Sequence, residues 1–338
     1  MAPAEDDISI EEKRVYAGSA GRTDAYVATE TGLVRVAFSA DKIGAFDMVA
    51  REPARDVAVL PRESAPALLG VASPDGLRVS PVGDEIDPVS VTDEPAVAIG
   101  VHRGTVDDGV QADGDAFCVA TEDGSIDRVE VEVAADADPD GDGSAPAFTA
   151  TTTRIGEVAE PRAVDGPLVA AADGVHRITT DSAADSGYSL ASVGLDDAHD
   201  VAGAGMPLAA TGTGLYWLGN GWMTTETGDA TVVAADGDGH ATAVVDGNLL
   251  VRDDRNDVDT ADTADTADTA DTADDWDRDA WRETDLPVEE EAVALGYGPG
   301  VAVAVTAAGT LCVDAGDGWR HQVIGVRDVA GVALAERA

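Results

Sequence analysis

Residues 208–218 have the sequence LAATGTGLYWL, in which a short apolar run, a glycine-containing turn and a second apolar run follow one another. This arrangement predicts a β-hairpin, because short apolar runs bounded by glycine and threonine are typical of strands joined by tight turns. Related stretches recur along the chain, and their turn glycines are Gly32, Gly76, Gly124, Gly174, Gly214, Gly247 and Gly309. The hairpin is therefore an internal repeat, and its period indicates the fold.

The period of the repeat is that of a propeller blade. Successive turn glycines lie 33 to 50 residues apart, except for the last interval, which contains the low-complexity segment 253–275. Without that segment the last interval falls within the same range. A repeat of roughly 40 residues is typical of the four-stranded sheets that form the blades of a β-propeller.

Further strands flank the hairpins. An Asp-Val-Ala sequence occurs at 56–58, 200–202 and 328–330, and looser versions occur at 96–99 and 292–295. Its small side chains favour the innermost strand, where blades crowd around the axis. A turn followed by tryptophan, at Trp222 and Trp319, predicts an outer strand whose ring packs between blades.

We therefore predict an all-β propeller of seven four-stranded blades; six or eight blades stay open, because two copies of the hairpin are weak. The chain ends would close the ring, since the strand at 328–330 has no hairpin after it and the first hairpin has no such strand before it. The strand at Ile10–Tyr16 is unassigned. The alternative is a large β-sandwich or a two-domain all-β protein.

The same pattern predicts the domain organisation. A single propeller domain over 8–338 follows an acidic, disordered N-terminus at 1–7. The segment 253–275 contains tandem Thr-Ala-Asp triplets and is expected to be a disordered acidic insert.

The charge of the chain limits its environment and its partners. Asp and Glu total 66, Lys and Arg total 21, and the formal net charge is −45. Such a surface repels itself in dilute buffer, but at about 1 M salt the screening length is only about 3 Å. We expect a protein of a salt-rich cytoplasm, a monomer that binds neither nucleic acid nor membrane. Cys118 and Cys312 lie in apolar runs and are expected to be buried thiols.

The candidate site is the mouth of the central channel. Innermost strands begin on one face of a propeller, so Asp56, Asp200 and Asp328 would ring that mouth. Their neighbours in sequence would lie beside them, namely Arg55, His199 and Arg327. The acidic hairpin turns are expected on the same face: Glu30, Asp75, Glu122, Asp123 and Asp173. Such a ring could bind a cation or a polar ligand. The alternative is turn chemistry, in which each aspartate accepts hydrogen bonds from nearby backbone amides.

No cofactor is expected, with calcium as the one alternative. Asp136, Asp138, Asp140 and Gly141 match the start of a calcium loop, but Ala147 stands where such a loop needs a bidentate glutamate. The five histidines occupy different places in their repeats, and the chain has no P-loop, dinucleotide fingerprint or G-x-S-x-G motif.

The chain resembles an uncharacterised haloarchaeal β-propeller family. The resemblance is carried by Ile10–Tyr16, by the hairpin that begins at Ala25 and turns at Gly32, and by the Arg-Asp-Val-Ala strands. It implies a propeller over nearly the whole chain and supplies no catalytic residues. The sequence thus favours a non-enzymatic binding or scaffolding propeller with a protein partner. The alternative is a hydrolase or lyase with a divalent metal or polar ligand at the channel mouth.

Overall fold

The structure is a computed structural model of the chain. The residues it describes are 22–40, 42–104, 106–107, 110–111, 114–133, 147–252 and 278–337. Four features of the sequence analysis lie outside the described residues: the N-terminus at 1–7, the segment Ile10–Tyr16, the candidate calcium loop that starts at Asp136, and the insert 253–275.

The described residues form seven four-stranded antiparallel sheets, numbered here as blades 1 to 7. Blade 1 contains β1 (Arg22–Thr29), β2 (Gly32–Ser39), β3 (Lys42–Ala50) and the last strand of the chain. Blade 2 contains β4 (Asp56–Leu60), β5 (Leu68–Ser73), β6 (Gly76–Pro81) and β7 (Val89–Ser90). Blade 3 begins with β8 (Ala96–His102), and a separate two-stranded sheet of β9 (Val106–Asp107) and β10 (Val110–Gln111) follows. It is completed by β11 (Ala116–Thr121), β12 (Ser125–Val133) and β13 (Phe148–Glu157).

The remaining blades follow the same order. Blade 4 contains β14 (Pro161–Asp165), β15 (Leu168–Ala171), β16 (Gly174–Thr180) and β17 (Tyr188–Gly194). Blade 5 contains β18 (Ala198–Ala202), β19 (Leu208–Thr211), β20 (Gly214–Leu218) and β21 (Trp222–Thr227). Blade 6 contains β22 (Ala230–Ala235), β23 (Ala241–Val245), β24 (Asn248–Arg252) and β25 (Trp281–Thr284). Blade 7 contains β26 (Ala292–Gly298), β27 (Val301–Thr306), β28 (Thr310–Asp314) and β29 (Arg320–Val323), and β30 (Val329–Arg337) returns to blade 1.

The innermost strands form a closed circle. Each contacts the innermost strand of the next blade, in the order β30, β4, β8, β14, β18, β22, β26 and back to β30. The prediction of a seven-bladed propeller is confirmed, and the alternatives of a sandwich or a two-domain protein are wrong. The helical segment Arg278–Ala280 is one 3-10 turn, and no helix within the described ranges is long and apolar enough to cross a membrane.

Blade 1 closes the ring by joining the two ends of the chain. β30 pairs antiparallel with β1, from Arg22 opposite Arg337 to Thr29 opposite Val329. An ion-pair network reinforces this pairing: the fully buried carboxylate of Asp24 lies 3.1 Å from Arg22 Nε and 3.5 Å from Arg337 Nη1. Each charge of the network has an opposite partner, as buried charges require.

The apolar core is divided among the junctions between blades. The described residues form seven clusters of buried side chains, and each joins two neighbouring blades. In the cluster between blades 7 and 1, for example, Val34 and Val36 pack with Val303 and Val305. Since burying one such side chain contributes about 1.5–3 kcal/mol, the stability of the ring comes mainly from these junctions.

Trp222, Cys118 and Cys312, which the sequence predicted to pack between blades or to be buried, lie at junctions between blades. Trp222 opens β21, and its indole N–H donates to the carbonyl of Val193 in the preceding blade at 2.9 Å. Cys118 and Cys312 are buried and unpaired. Burial raises the pKa of both thiols to about 12.

Six of the seven turn glycines are required because backbone in or just after the outermost strand of their blade passes close behind them, whereas Gly247 has only the positive φ of its turn, at 79°. A Cβ atom at Gly309 would lie 2.1 Å from the carbonyl oxygen of Val326, and one at Gly32 would lie 2.1 Å from that of Ala50. Both glycines also have positive φ, at 82° and 138°. The glycine of the repeat therefore reflects a close backbone approach and not only a tight turn.

We predict that Gly309→Ala destabilises the ring by at least about 2 kcal/mol, since it adds a clash with Val326 to the cost of a left-handed backbone. Thermal unfolding followed by circular dichroism in high salt measures the change. Gly221→Ala is the matched control, because a Cβ at this turn glycine meets nothing within 4 Å. Equal unfolding temperatures for the two variants would contradict the explanation.

Candidate functional site

The strand registers place one residue of each innermost strand at the same height around the channel. In blade 2 this residue is Asp56. Its partner on the second strand is Ala72, and the partner of Ala72 on the third strand is Leu77, the first apolar residue after the turn. We call this height the mouth position. Its occupants, from blade 1 to blade 7, are Gly331, Asp56, Ala98, Ala163, Asp200, Val232 and Ala294.

Asp56 and Asp200 connect their blades to the next ones by the same pattern of hydrogen bonds. Asp56 accepts from the N–H of Val57 at 2.8 Å and from that of Ile99, in blade 3, at 2.9 Å. Asp200 likewise accepts from Val201 at 2.8 Å and from Val233, in blade 6, at 2.9 Å. Each carboxylate thereby satisfies amides on the channel-facing edges of two innermost strands, which have no further strand to pair with.

Burial and hydrogen bonding act on these carboxyls in opposite directions. Burial raises the pKa of Asp56 and of Asp200 to about 7, although the backbone N–H groups favour the ionised form of each. Because the folded pKa lies above that of the unfolded chain, each group contributes most to stability at low pH. This contribution is lost as the pH rises from about 4 to about 7.

The residue before the mouth position forms a second connection in three blades. Arg55 donates to the carbonyl of Ala96 at 3.2 Å, and Arg162 donates to that of Ala198 at 3.1 Å. His199 Nδ1 lies 2.9 Å from the carbonyl oxygen of Ala230, so it acts as the donor there. In all three cases the acceptor lies two residues before the mouth position of the next blade.

Acidic side chains surround these three donors on the same face. Arg55 forms an ion pair with Glu122 at 2.6 Å, and Arg162 forms one with Asp197 at 2.7 Å. His199 lies 3.6 Å from Asp197. The acidic hairpin turns predicted for this face do lie on it. In each blade the turn between the second and third strands is at the end where the innermost strand begins.

The predicted ring of three aspartates is wrong for Asp328. Asp328 and its neighbour Arg327 are exposed and do not line the channel, whereas Asp56, Arg55, Asp200 and His199 do. β30 begins only at Val329, and the register gives the mouth position of blade 1 to Gly331. The physical reason is space: a Cβ at Gly331 would lie 2.4 Å from Oδ1 of Asp56, so a side chain there would displace that carboxylate.

Sequence reasoning missed Arg162 and Asp165, which the channel brings together with the predicted residues. Asp165 lies at the opposite end of β14 and accepts from Gly203 N at 2.7 Å. Burial raises its pKa, while the bond from Gly203 and the charge of Arg103 oppose the shift. The segment Arg162–Asp165 contains the letters of the Arg-Asp-Val-Ala motif in another order, which is the signal that could have revealed it.

The channel opens at both ends. The narrow mouth, next to Asp56 and Asp200, leads into a cavity of about 500 Å³. The opposite end widens into a depression of about 1610 Å³, which we call the wide mouth. Arginines line this wide mouth, namely Arg62, Arg103, Arg177 and Arg337. Arg62 and Arg103 follow the ends of β4 and β8 within two residues, a pattern that could have predicted their shared face.

The axis of the ring differs in charge from the rest of the chain. Around the two cavities the arginines are Arg55, Arg62, Arg103, Arg162, Arg177 and Arg337. The acids around them are Asp56, Asp165, Asp200, Asp236, Asp238 and Glu336. The two signs are balanced at the axis, whereas acids outnumber bases by 66 to 21 over the chain.

The arrangement at the narrow mouth suits structural bonding better than chemistry on a substrate. Both oxygens of Asp56 and of Asp200 accept backbone N–H groups, and His199 uses Nδ1 on a carbonyl. In the described part of the chain, no group of three or more His, Cys, Asp or Glu side chains is arranged to hold a metal ion.

Comparison with known proteins identifies the same architecture. A family model described as HVO_0234-like beta propeller matches residues 9–335. Among solved structures, "YCF48 bound to D1 peptide" is similar with a TM-score of 0.49 and 13% identity, over 90% of this chain and 86% of that chain. The structure of apo AztD from Citrobacter koseri is similar with a TM-score of 0.43 and 14% identity, over 92% and 84%. No curated protein matches the chain.

We predict that Asp200→Ala lowers the free energy of unfolding by about 1–3 kcal/mol at pH 5, since the N–H groups of Val201 and Val233 lose their acceptor. The loss of free energy of unfolding is expected to be smaller at pH 8, because the wild-type carboxyl is ionised at that pH and burial disfavours its ionised form. Thermal unfolding at both pH values in high salt measures it.

The control for Asp200→Ala is Asp328→Asn, which removes an exposed charge from the same tripeptide motif and keeps a residue type that tolerates the left-handed backbone at this position, where φ is 54°. A change within about 0.5 kcal/mol is expected there at both pH values. A cost for Asp200→Ala that is no larger than this, or that grows with pH, would refute the role given to Asp200.

Proposed function

We propose that this chain, which belongs to the HVO_0234-like β-propeller family, is a non-enzymatic binding or scaffolding module that works at high salt. In this proposal the protein is a cytoplasmic monomer that presents the axis of its ring to a protein partner. The fold supports it, because a closed ring of blades is a rigid platform with its loops gathered on two faces.

The observation that carries the proposal is the use of the polar groups at the narrow mouth. Asp56, Asp200 and His199 line the narrow mouth and have side chains of the kind that act as a base or a metal ligand, and each is bonded to the backbone of the next blade. A general base or a metal ligand must be free to meet the reacting group or the ion. These contacts therefore count against a hydrolase or lyase at this mouth.

The high-salt part of the proposal rests on charge. The net charge is −45, and the exposed acids lie on all sides of the ring, so their mutual repulsion opposes compaction. At about 1 M salt this repulsion is screened beyond about 3 Å, while the hydrogen bonds and apolar junctions inside the ring persist.

The binding role is tested by affinity purification of the tagged protein from its own cells at native salt, with cross-linking before lysis. We expect one or more proteins to be recovered reproducibly by the folded bait and not by the same bait after thermal unfolding. Failure to recover any reproducible partner, together with turnover of a cellular metabolite by the purified protein, would overturn the proposal in favour of an enzyme.

The high-salt role is tested by dialysis. Below about 0.5 M KCl we expect the β-sheet signal in circular dichroism and the unfolding temperature to fall, because unscreened carboxylates repel one another. Sucrose in place of KCl is the control, since it does not screen charge. A full β-sheet signal in dilute buffer would contradict adaptation to salt.

A further inference from the structure

Arginines that have no side-chain partner among the described residues gather at the wide mouth. Most described arginines bond to an acid or to a backbone carbonyl, as Arg35 does to Asp47. Five have no side-chain hydrogen bond or ion pair to a described residue: Arg51, Arg62, Arg103, Arg177 and Arg327. Three of these five line the wide mouth, although acids outnumber bases threefold in the chain and could have paired them.

These three arginines lie on consecutive blades. Arg62 follows β4 in blade 2, Arg103 follows β8 in blade 3, and Arg177 lies in β16 of blade 4. All three are exposed to solvent. They form one positive arc, which we call the arginine arc. Across the depression, Asp236 and Asp238 follow β22 in blade 6, so the rim has a positive side and a negative side.

One acid close to the arginine arc, Asp165, and a further arginine of the wide mouth, Arg337, have other contacts. The carboxylate of Asp165 accepts a hydrogen bond from the N–H of Gly203. The charge of Arg103 lowers the pKa of Asp165, in opposition to the larger effect of burial. Arg337, on the neighbouring blade 1, is held by Asp84 at 2.6 Å. The donors of Arg62, Arg103 and Arg177 are thus left facing the depression without an acceptor from the described residues.

We propose that the wide mouth binds a ligand bearing carboxylate or phosphate groups, which Arg62, Arg103 and Arg177 hold by forked hydrogen bonds. The guanidinium group matches both anions with two parallel N–H donors, and this short-range contact persists when salt screens long-range attraction. The inference rests on the proposed binding function and names the chemistry of its ligand.

The size of the depression indicates how such a ligand would be presented. Its volume of about 1610 Å³ is larger than the roughly 300–1,000 Å³ usual for small-molecule pockets. Pro61, Ile178, Pro299 and Leu334 give the depression apolar walls. An acidic peptide segment would fill this space, whereas a free small anion would occupy only the arginine arc.

Calorimetric titration in about 1 M KCl, where the screening length is about 3 Å, tests the inference with three probes: hexaglutamate, citrate and pyrophosphate. We expect at least one probe to bind, and Arg103→Gln to weaken that binding about tenfold, the equivalent of 1.4 kcal/mol. The triple variant with Arg62, Arg103 and Arg177 replaced by glutamine should not bind. Preference for hexaglutamate assigns a peptide ligand, and preference for citrate or pyrophosphate assigns a small anion.

Arg327→Gln is the matched control, because Arg327 is also exposed and unpaired but lies on the opposite face. It should leave binding unchanged. Absence of binding by all three probes, or equal loss in Arg327→Gln and Arg103→Gln, overturns the inference. The proposed binding function is tested separately, by affinity purification with the triple variant. If this variant still recovers the partners of the wild type, the protein is a binding module, but the arginine arc does not bind those partners.

Discussion

The pairing of β30 with β1 is the contact on which the rest of the ring depends. Each of the seven apolar clusters lies between two blades, so each needs both neighbours in place. Without the last strand, blade 1 would have three strands, and the edge of β1 would be open to solvent. The register over eight residue pairs and the ion pairs of Asp24 with Arg22 and Arg337 fix the closure. Because the two ends of the chain meet there, any loss at this pairing loosens all seven junctions together.

Closure also decides what the innermost strands can do. Each presents one unpaired edge to the channel, and its N–H and C=O groups need partners in a narrow space. Asp56 and Asp200 supply acceptors across two junctions, and Arg55, Arg162 and His199 supply donors across three. The polar residues of the narrow mouth are thus explained by the geometry of the ring. A charged residue near a propeller axis is therefore weak support for catalysis unless its hydrogen bonds are known.

The sequence predicted the hairpins, the blade number and the closure, because these depend on local signals that every copy repeats. Six of the seven turn glycines are forced by a close backbone approach, so they recur whatever the loops around them contain. The mouth position was harder to predict. Between it and the turn glycine lies a loop of variable length, so Asp56 precedes Gly76 by 20 residues while Ala163 precedes Gly174 by 11. The Asp-Val-Ala letters at 328–330 matched the motif but were three residues out of register.

The distribution of charge gives the axis a special place in this molecule. An acidic exterior favours solubility at high salt, but it gives no contrast by which a partner could recognise one region from another. At the axis the signs are balanced, and on blades 2 to 4 three arginines have no hydrogen-bond or ion-pair partner among the described residues, in a chain rich in acids. Unpaired arginines lose favourable ion pairs that nearby acids could provide, so their persistence in one depression is better explained by contact with an external anion than by stability of the ring. The two mouths accordingly differ: the polar groups of the narrow mouth join blades, whereas Arg62, Arg103 and Arg177 at the wide mouth are exposed to solvent.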